Sequence, residues 1–183
     1  MEEINMFLET ERLSMRKFNE DDFDDFCDYA MDDEMSRMVG RRLLRNREDA
    51  RWNFDWLKDK EEQCYGLVYK RRGQIIGNLT ICPVPTELSK LENLKHKSGK
   101  SLSFSISKKY QRKGLMLEAL NGTIKYLFDI EEIDYIQCGH FPFNIASEML
   151  QKKLGFEYLK TLYFNNEGIE IISIENILWK DKL

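Results

Sequence analysis

Residues 102 to 120, LSFSISKKYQRKGLMLEAL, are the stretch on which the fold turns. Leu102-Ser103-Phe104-Ser105-Ile106-Ser107 alternates apolar and small polar side chains, the period of a half-buried strand. Lys108-Lys109-Tyr110-Gln111-Arg112-Lys113-Gly114 is a basic turn that ends in glycine. Leu115-Met116-Leu117-Glu118-Ala119-Leu120 then opens a helical pattern that Ile124, Leu127 and Phe128 continue. Strand, basic glycine turn and helix together suit a phosphate group. The first amides of a helix have no intrahelical acceptor, and the macrodipole makes that end positive. Gly114 has no side chain to hold an anion away from the backbone. Lys108, Lys109, Arg112 and Lys113 add positive charge.

Gln111-Arg112-Lys113-Gly114-Leu115-Met116 resembles the Q/R-x-x-G-x-G/A signature of the GNAT superfamily of acyl-CoA-dependent N-acetyltransferases. Met116 stands where that signature has Gly or Ala. Glu118-Ala119 is similar to the "EA" of the branch that acetylates ribosomal-protein N-termini. Thr10-Glu11-Arg12-Leu13, with Arg16, resembles the "TERL-x-L-R" opening of the same branch. The resemblance implies that Gln111, Arg112, Lys113, Gly114, Leu115 and Met116 hold the pyrophosphate of coenzyme A, through the amides of residues 112 to 116. It also implies that backbone amides of Phe104, Ser105 and Ile106 pair with the pantetheine arm and meet the oxyanion. A second pattern, N-x-x-S followed by L-G-F, is matched by Asn144, Ser147 and Leu154-Gly155-Phe156. There the resemblance turns Asn144 and Ser147 toward the pantetheine or the sulfur. Asn144 fits a plain helix cap equally well, and Ser147 a small helix residue.

The implied fold is α/β (α+β): a single domain over residues 1–183, with a mixed, mostly antiparallel twisted sheet of about seven strands and about four flanking helices. The composition agrees with a globular chain. Of its 183 residues 42% are hydrophobic and 33% charged, too apolar for disorder. A net charge of −4 gives no general attraction to nucleic acid. Cys27, Cys64, Cys82 and Cys138 form no C-x-x-C pair, which argues against a zinc site and a disulfide framework. The opening Met-Glu-Glu-Ile-Asn is acidic with no long apolar run behind it, so neither a signal peptide nor a membrane span is expected. The expected setting is cytoplasmic, as monomer or homodimer.

Elsewhere the chain reads as alternating elements. Glu11 to Phe18 is a first strand. Asn19 caps a helix bearing Phe23, Phe26, Cys27, Ala30 and Met31, with Glu20, Asp21 and Asp22 in its first turn. Asn46 caps a second helix through Ala50, Trp52, Phe54, Trp56 and Leu57. Tyr65–Lys70 and Gln74–Cys82 are strands joined by a tight turn, Arg71-Arg72-Gly73. Residues 86 to 100 are an insert near the acceptor cleft, a short helix from Thr86 and a mobile loop from Lys95 to Lys100. Ile133–Gly139 is a strand, and Phe143–Phe156 a helix stopped by Gly155. Glu157–Phe164 and Glu170–Lys180 are the last strands, joined by Asn165-Asn166-Glu167-Gly168.

Amide formation from a thioester needs a neutral amine and a donor for the oxyanion. By register, the base position of related enzymes falls on Ser101, which carries no carboxylate. Glu87 and His140 are the remaining candidate bases, His140 serving equally as a structural residue. Ser147, or a water on it, is the candidate acid, because Gln151 stands where many relatives carry a proton-donating tyrosine. The acidic run from Glu20 to Glu34 suits a cationic acceptor or a solvated helix face. Trp52 and Trp56 read as core. The resemblance implies acetyl-CoA as acyl donor and a protein N-terminal α-amine or a small-molecule amine as acceptor. A non-catalytic acyl-CoA-binding module of the same fold is the alternative. The basic turn is too small to indicate an RNA-binding protein.

Overall fold

The computed structural model describes residues 6–59, 63–166 and 169–182. Eight strands and six α-helices are found among them, and the sheet is mixed. The α/β class matches the expectation, with one more strand and two more helices. In chain order these are β1 Met6–Glu9, β2 Leu13–Arg16, α1 Phe23–Ala30, α2 Asp33–Met38, α3 Arg47–Asp59, β3 Gln63–Tyr69, β4 Gln74–Pro83, α4 Thr86–Ser89, β5 Gly99–Ile106, α5 Leu115–Asp129, β6 Tyr135–His140, α6 Ile145–Lys153, β7 Glu157–Asn166 and β8 Ile169–Trp179. The chain divides into two compact units. One comprises Met1–Ile81 with Phe104–Thr123, the other Cys82–Ser103 with Ile124–Leu183.

In the first unit β1, β2, β3 and β4 pair antiparallel in chain order. The expected strand over Glu11–Phe18 is present as β2, and an additional strand, β1, precedes it; the chain turns between them where the Thr10 amide donates to the Leu13 carbonyl at 2.9 Å. The β3–β4 turn closes with the amides of Arg72 and Gly73 both on the Tyr69 carbonyl. Gly73 sits at φ +66°, where a side chain would be strained. Under the sheet lies an aromatic core in which Phe18, Phe23 and Phe26 meet Phe54 edge-on or tilted. The helix starts follow local capping. Asn19 accepts from the Asp21 amide, Asn46 from Asp49 and Asp32 from Met35.

Two expectations fail in this unit. Trp52 and Trp56 are not core: they are 70% and 47% exposed. The buried stripe of α3 is Ala50, Phe54 and Leu57, and the two tryptophans fall on the other side of the helix. Nor is the acidic run merely a solvated face. Asp22 is buried and takes both guanidinium nitrogens of Arg16, at 2.6 and 2.7 Å. Asp25 accepts the Ile75 amide at 2.9 Å.

In the second unit Gly99, Lys100 and Ser101 of β5 pair in parallel with Tyr135, Ile136 and Gln137 of β6, and β8 runs antiparallel to both β6 and β7. The insert is not a free loop. Val84, Leu91 and Leu94 pack against Tyr135, Ile177 and Trp179. Its later residues are tied down by Lys95 on Leu91, Lys97 on Leu94 and the Ser98 amide on the Asp134 carboxylate at 2.7 Å. Apolar leucines at helical spacing hold these turns onto the sheet. The expected β7–β8 connection includes Glu167 and Gly168, which lie outside the described residues, as does the opening Met1 to Asn5. Among the described residues no helix is long and apolar enough to cross a membrane.

Candidate functional site

The first unit carries the glycine turn. After β5 the chain makes a single 3-10 turn, Lys108–Tyr110, and then passes through two left-handed residues, Arg112 at φ +59° and Gly114 at φ +75°, before α5 starts. Arg112, Lys113 and Gly114 are exposed. Glu118 is the first amide of α5 to bond back into the helix, to the Gly114 carbonyl, so the amides before it stand at the positive end of a 15-residue helix. A Cβ on Gly114 would approach only the Arg12 guanidinium, at 3.5 Å. Gln111 is exposed as well, and its side-chain amide donates to the Ile106 carbonyl at 3.2 Å, which fixes the end of β5. Leu115 and Met116 are buried, Met116 to 7% exposure, so its bulk lies in the core rather than over the turn.

The basic residues of the turn are unequally placed. Lys108 pairs with Glu34. Lys113 donates to the Lys109 carbonyl at 2.7 Å and lies over the Tyr110 ring. Arg112 is the exposed guanidinium with no partner among the described residues. The turn itself is braced by Arg12, the residue just before β2. Arg12 donates to the Lys113 carbonyl at 3.0 Å and to Glu118. Burial alone would raise the Glu118 carboxyl, but hydrogen bonds from Thr10, the Arg12 amide and the Arg12 guanidinium hold it below the usual carboxylate range. Phe104, Ser105 and Ile106 precede the turn. Ser105 is buried and donates to Asn78 at 2.6 Å, and Tyr29 donates to the same Asn78 oxygen.

The second unit carries Asn144, Ser147 and His140. Asn144 caps α6, its side-chain oxygen accepting from the Ser147 amide at 3.1 Å, so the cap reading holds. The Ser147 hydroxyl is half-buried and accepts from the Gln151 amide nitrogen at 3.0 Å. Gln151 is 1% exposed; it also donates to the Gly139 carbonyl, and its oxygen accepts from Asn176 at 2.8 Å. With its lone pair engaged by Gln151, the Ser147 O–H proton is free to be given away. Spacing of i to i+4 on one helix was the signal for Gln151. Asn176 had none, because its contact depends on strand register. His140 is buried with Nδ1 3.1 Å from the Phe141 carbonyl, a structural placement. Glu87 is exposed in the first turn of α4 and has no hydrogen-bond partner among the described residues. Ser101 is half-buried beside Gln137.

Sequence reasoning missed Glu175 altogether. This glutamate of β8 is 5% exposed, and its carboxyl lies against the backbone of Gly139, where a Cβ would come within 2.7 Å of it. Burial pushes its pKa up, against a hydrogen bond from Ser173 and the charge of His140.

Residues 12–157 match the family model described as an acetyltransferase (GNAT) domain. Over 56 residues the chain is 43% identical to the ribosomal protein uS5-alanine N-acetyltransferase of Escherichia coli, a match covering 31% of this chain and 29% of that enzyme. It is 23% identical over 154 residues to the uncharacterized N-acetyltransferase p20 of Bacillus licheniformis, covering 82% of each. The fold is similar to that of a GNAT-family acetyltransferase from Bacillus anthracis, at TM-score 0.81 and 18% identity over 96% of this chain and 99% of that one. It is also similar to a ribosomal-protein-S5-alanine acetyltransferase from Vibrio fischeri, at TM-score 0.67 and 20% identity over 96% and 97%.

Proposed function

From a chain that belongs to the acetyltransferase (GNAT) family, we propose an enzyme that moves an acetyl group from acetyl-CoA to a primary amine, with protein N-terminal α-amines favoured as acceptors. The observation that carries this is the turn from Gln111 to Gly114. Two left-handed positions, Arg112 and Gly114, flank Lys113, the helix behind them is long, and the amides of residues 112 to 116 stand with an exposed guanidinium beside them. In this reading those amides hold the pyrophosphate, Phe104, Ser105 and Ile106 pair with the pantetheine, and Ser147 gives its proton to the departing thiolate while Gln151 holds its lone pair. Asn144 sets the Ser147 backbone by capping it. Glu87 and His140 keep no assigned step.

The acceptor preference rests on amine basicity and on the partial match to a uS5-alanine N-acetyltransferase. Acetyl-CoA should raise the melting temperature of the protein by mass action, and thiol release with a panel of amines should follow. Binding without thiol release from any amine would identify a non-catalytic acyl-CoA-binding module. Neither binding nor release would remove the reading.

A further inference from the structure

Position 101 leaves the reaction without a base, yet the second unit holds an unused carboxylate close by. Ser101 of β5 is the parallel register partner of Gln137 on β6. Gln137 is 2% exposed and donates through its amide nitrogen to the Glu175 carboxylate. Glu175 sits opposite Gly139 on β8, two positions along from Gln137 on the same sheet face. So a carboxylate lies two strands across from the place where the resemblance implies one.

A second observation points to a ligand. The Gln137 side-chain oxygen is buried and has no partner among the described residues. A buried acceptor left unpaired is costly, and natural proteins rarely keep one without an occupant. On one planar amide the nitrogen engages Glu175 and the oxygen waits for a donor. A primary ammonium carries three N–H donors, enough to meet the Glu175 carboxylate and that oxygen together. Water or a methyl group offers fewer.

We infer that Glu175 is the general base of the acetyl transfer, and that Gln137 presents the acceptor amine to it; this rests on the acetyltransferase reading above. The acceptor ammonium gives one proton to the Glu175 carboxylate. The freed lone pair forms the C–N bond at the thioester carbonyl carbon, the C–S bond breaks, Ser147 protonates the thiolate to the CoA thiol, and the second amine proton restores the Ser147 hydroxyl. Glu175 then returns its proton to water. Burial moves Glu175 toward the basicity that such a step needs. The groups facing it are His140 and Cys138 from β6, Ser173 from its own strand and, by register, Lys160 from β7.

The test compares wild type with Glu175→Gln and Glu175→Asp, using thiol release from acetyl-CoA with N-terminal peptide amines between about pH 5.5 and pH 9. Glu175→Gln should lower kcat/KM by about 100-fold or more near neutral pH and remove the acid limb of the profile. Glu175→Asp should keep that limb at a reduced rate. Both should retain the wild-type rise in melting temperature with acetyl-CoA. A Gln variant within about threefold of wild type overturns the proposal, and so does an Asp variant that has lost the limb or losses that track weaker acetyl-CoA stabilisation. Wild type that turns over beside an equally active Gln variant sinks the base alone. Wild type without turnover sinks the acetyltransferase reading and the base with it.

Discussion

Arg12 and Glu118, 106 residues apart, are joined by two hydrogen bonds of one small network. The Arg12 amide donates to one Glu118 oxygen at 2.7 Å, its guanidinium to the other at 2.5 Å, and the same guanidinium reaches the Lys113 carbonyl. Thr10 adds a hydroxyl at 2.6 Å. The opening "TERL" and the "EA" of α5 are therefore one structural device, bracing the glycine turn from below.

Breaking that brace should cost stability. Glu118→Ala leaves the Thr10 hydroxyl and the Arg12 amide short of an acceptor in a partly buried place, worth about 1–3 kcal/mol. Chemical denaturation of variant and wild type measures it. The carboxyl is held below its ordinary range in the folded state, so its contribution is present above the unfolded value, about pH 4.3, and fades as pH falls through the folded one. The gap between wild type and variant should then narrow in acid. A gap that widens would show that the carboxylate is not the stabilising form.

The glycine turn should fail for two separable reasons. Gly114→Ala places a side chain at φ +75° and should cost roughly 1 kcal/mol of stability through strain, with acetyl-CoA stabilisation reduced but present. Gly114→Asp adds negative charge to the same strain and should abolish that stabilisation. An unchanged thermal shift in Gly114→Asp would refute the assignment of pyrophosphate to this turn.

Ser147→Ala should lower kcat more than it weakens acetyl-CoA binding, if its proton goes to the thiolate. Gln151→Leu unpairs the Ser147 oxygen, the Gly139 carbonyl and the Asn176 amide at a buried site, and should destabilise by about 2–4 kcal/mol as well as slow turnover. Equal losses of kcat and of affinity in Ser147→Ala would make the hydroxyl a binding group only.

Acceptor choice should follow amine basicity. At neutral pH about a tenth of an α-amine of pKa near 8 is uncharged, against a few in ten thousand for a lysine side chain, a difference of roughly 3 kcal/mol. A carboxylate base removes the proton more easily from the weaker amine too, so the preference survives with Glu175 in place. Comparing kcat/KM for an N-terminal peptide with that for a blocked peptide carrying one lysine checks it. Faster lysine acetylation would mean that a specific acceptor contact outweighs basicity.

Much of this was legible from local chemistry. Asn46 and Asn144 cap helices as their positions suggest, and Asn19 caps the 3-10 turn Glu20–Asp22 that leads into α1, because a cap needs only residues two or three places along. The Arg71-Arg72-Gly73 turn and the stretch from Leu102 to Leu120 were equally plain. Trp52 and Trp56 misled because hydrophobicity was read without phase: Ala50, Phe54 and Leu57 had already used the buried side of the helix. The helix α2 was hidden in the acidic run, where Met35 and Met38 alone mark an apolar side. Glu175 and Gln137 were beyond reach, since their meeting depends on how β6 and β8 slide past one another, and a shift of one residue would have turned Glu175 to the opposite face.

Met116 points its side chain into the core, and the two residues of the turn that differ most from a bare backbone, Arg112 and Lys113, leave theirs at the surface. What the turn offers a ligand is then mostly main chain, which every amino acid spells alike. Such a surface drifts freely in its lettering so long as its dihedral angles survive. A motif that counts side chains there records ancestry; the grip itself is written in peptide planes.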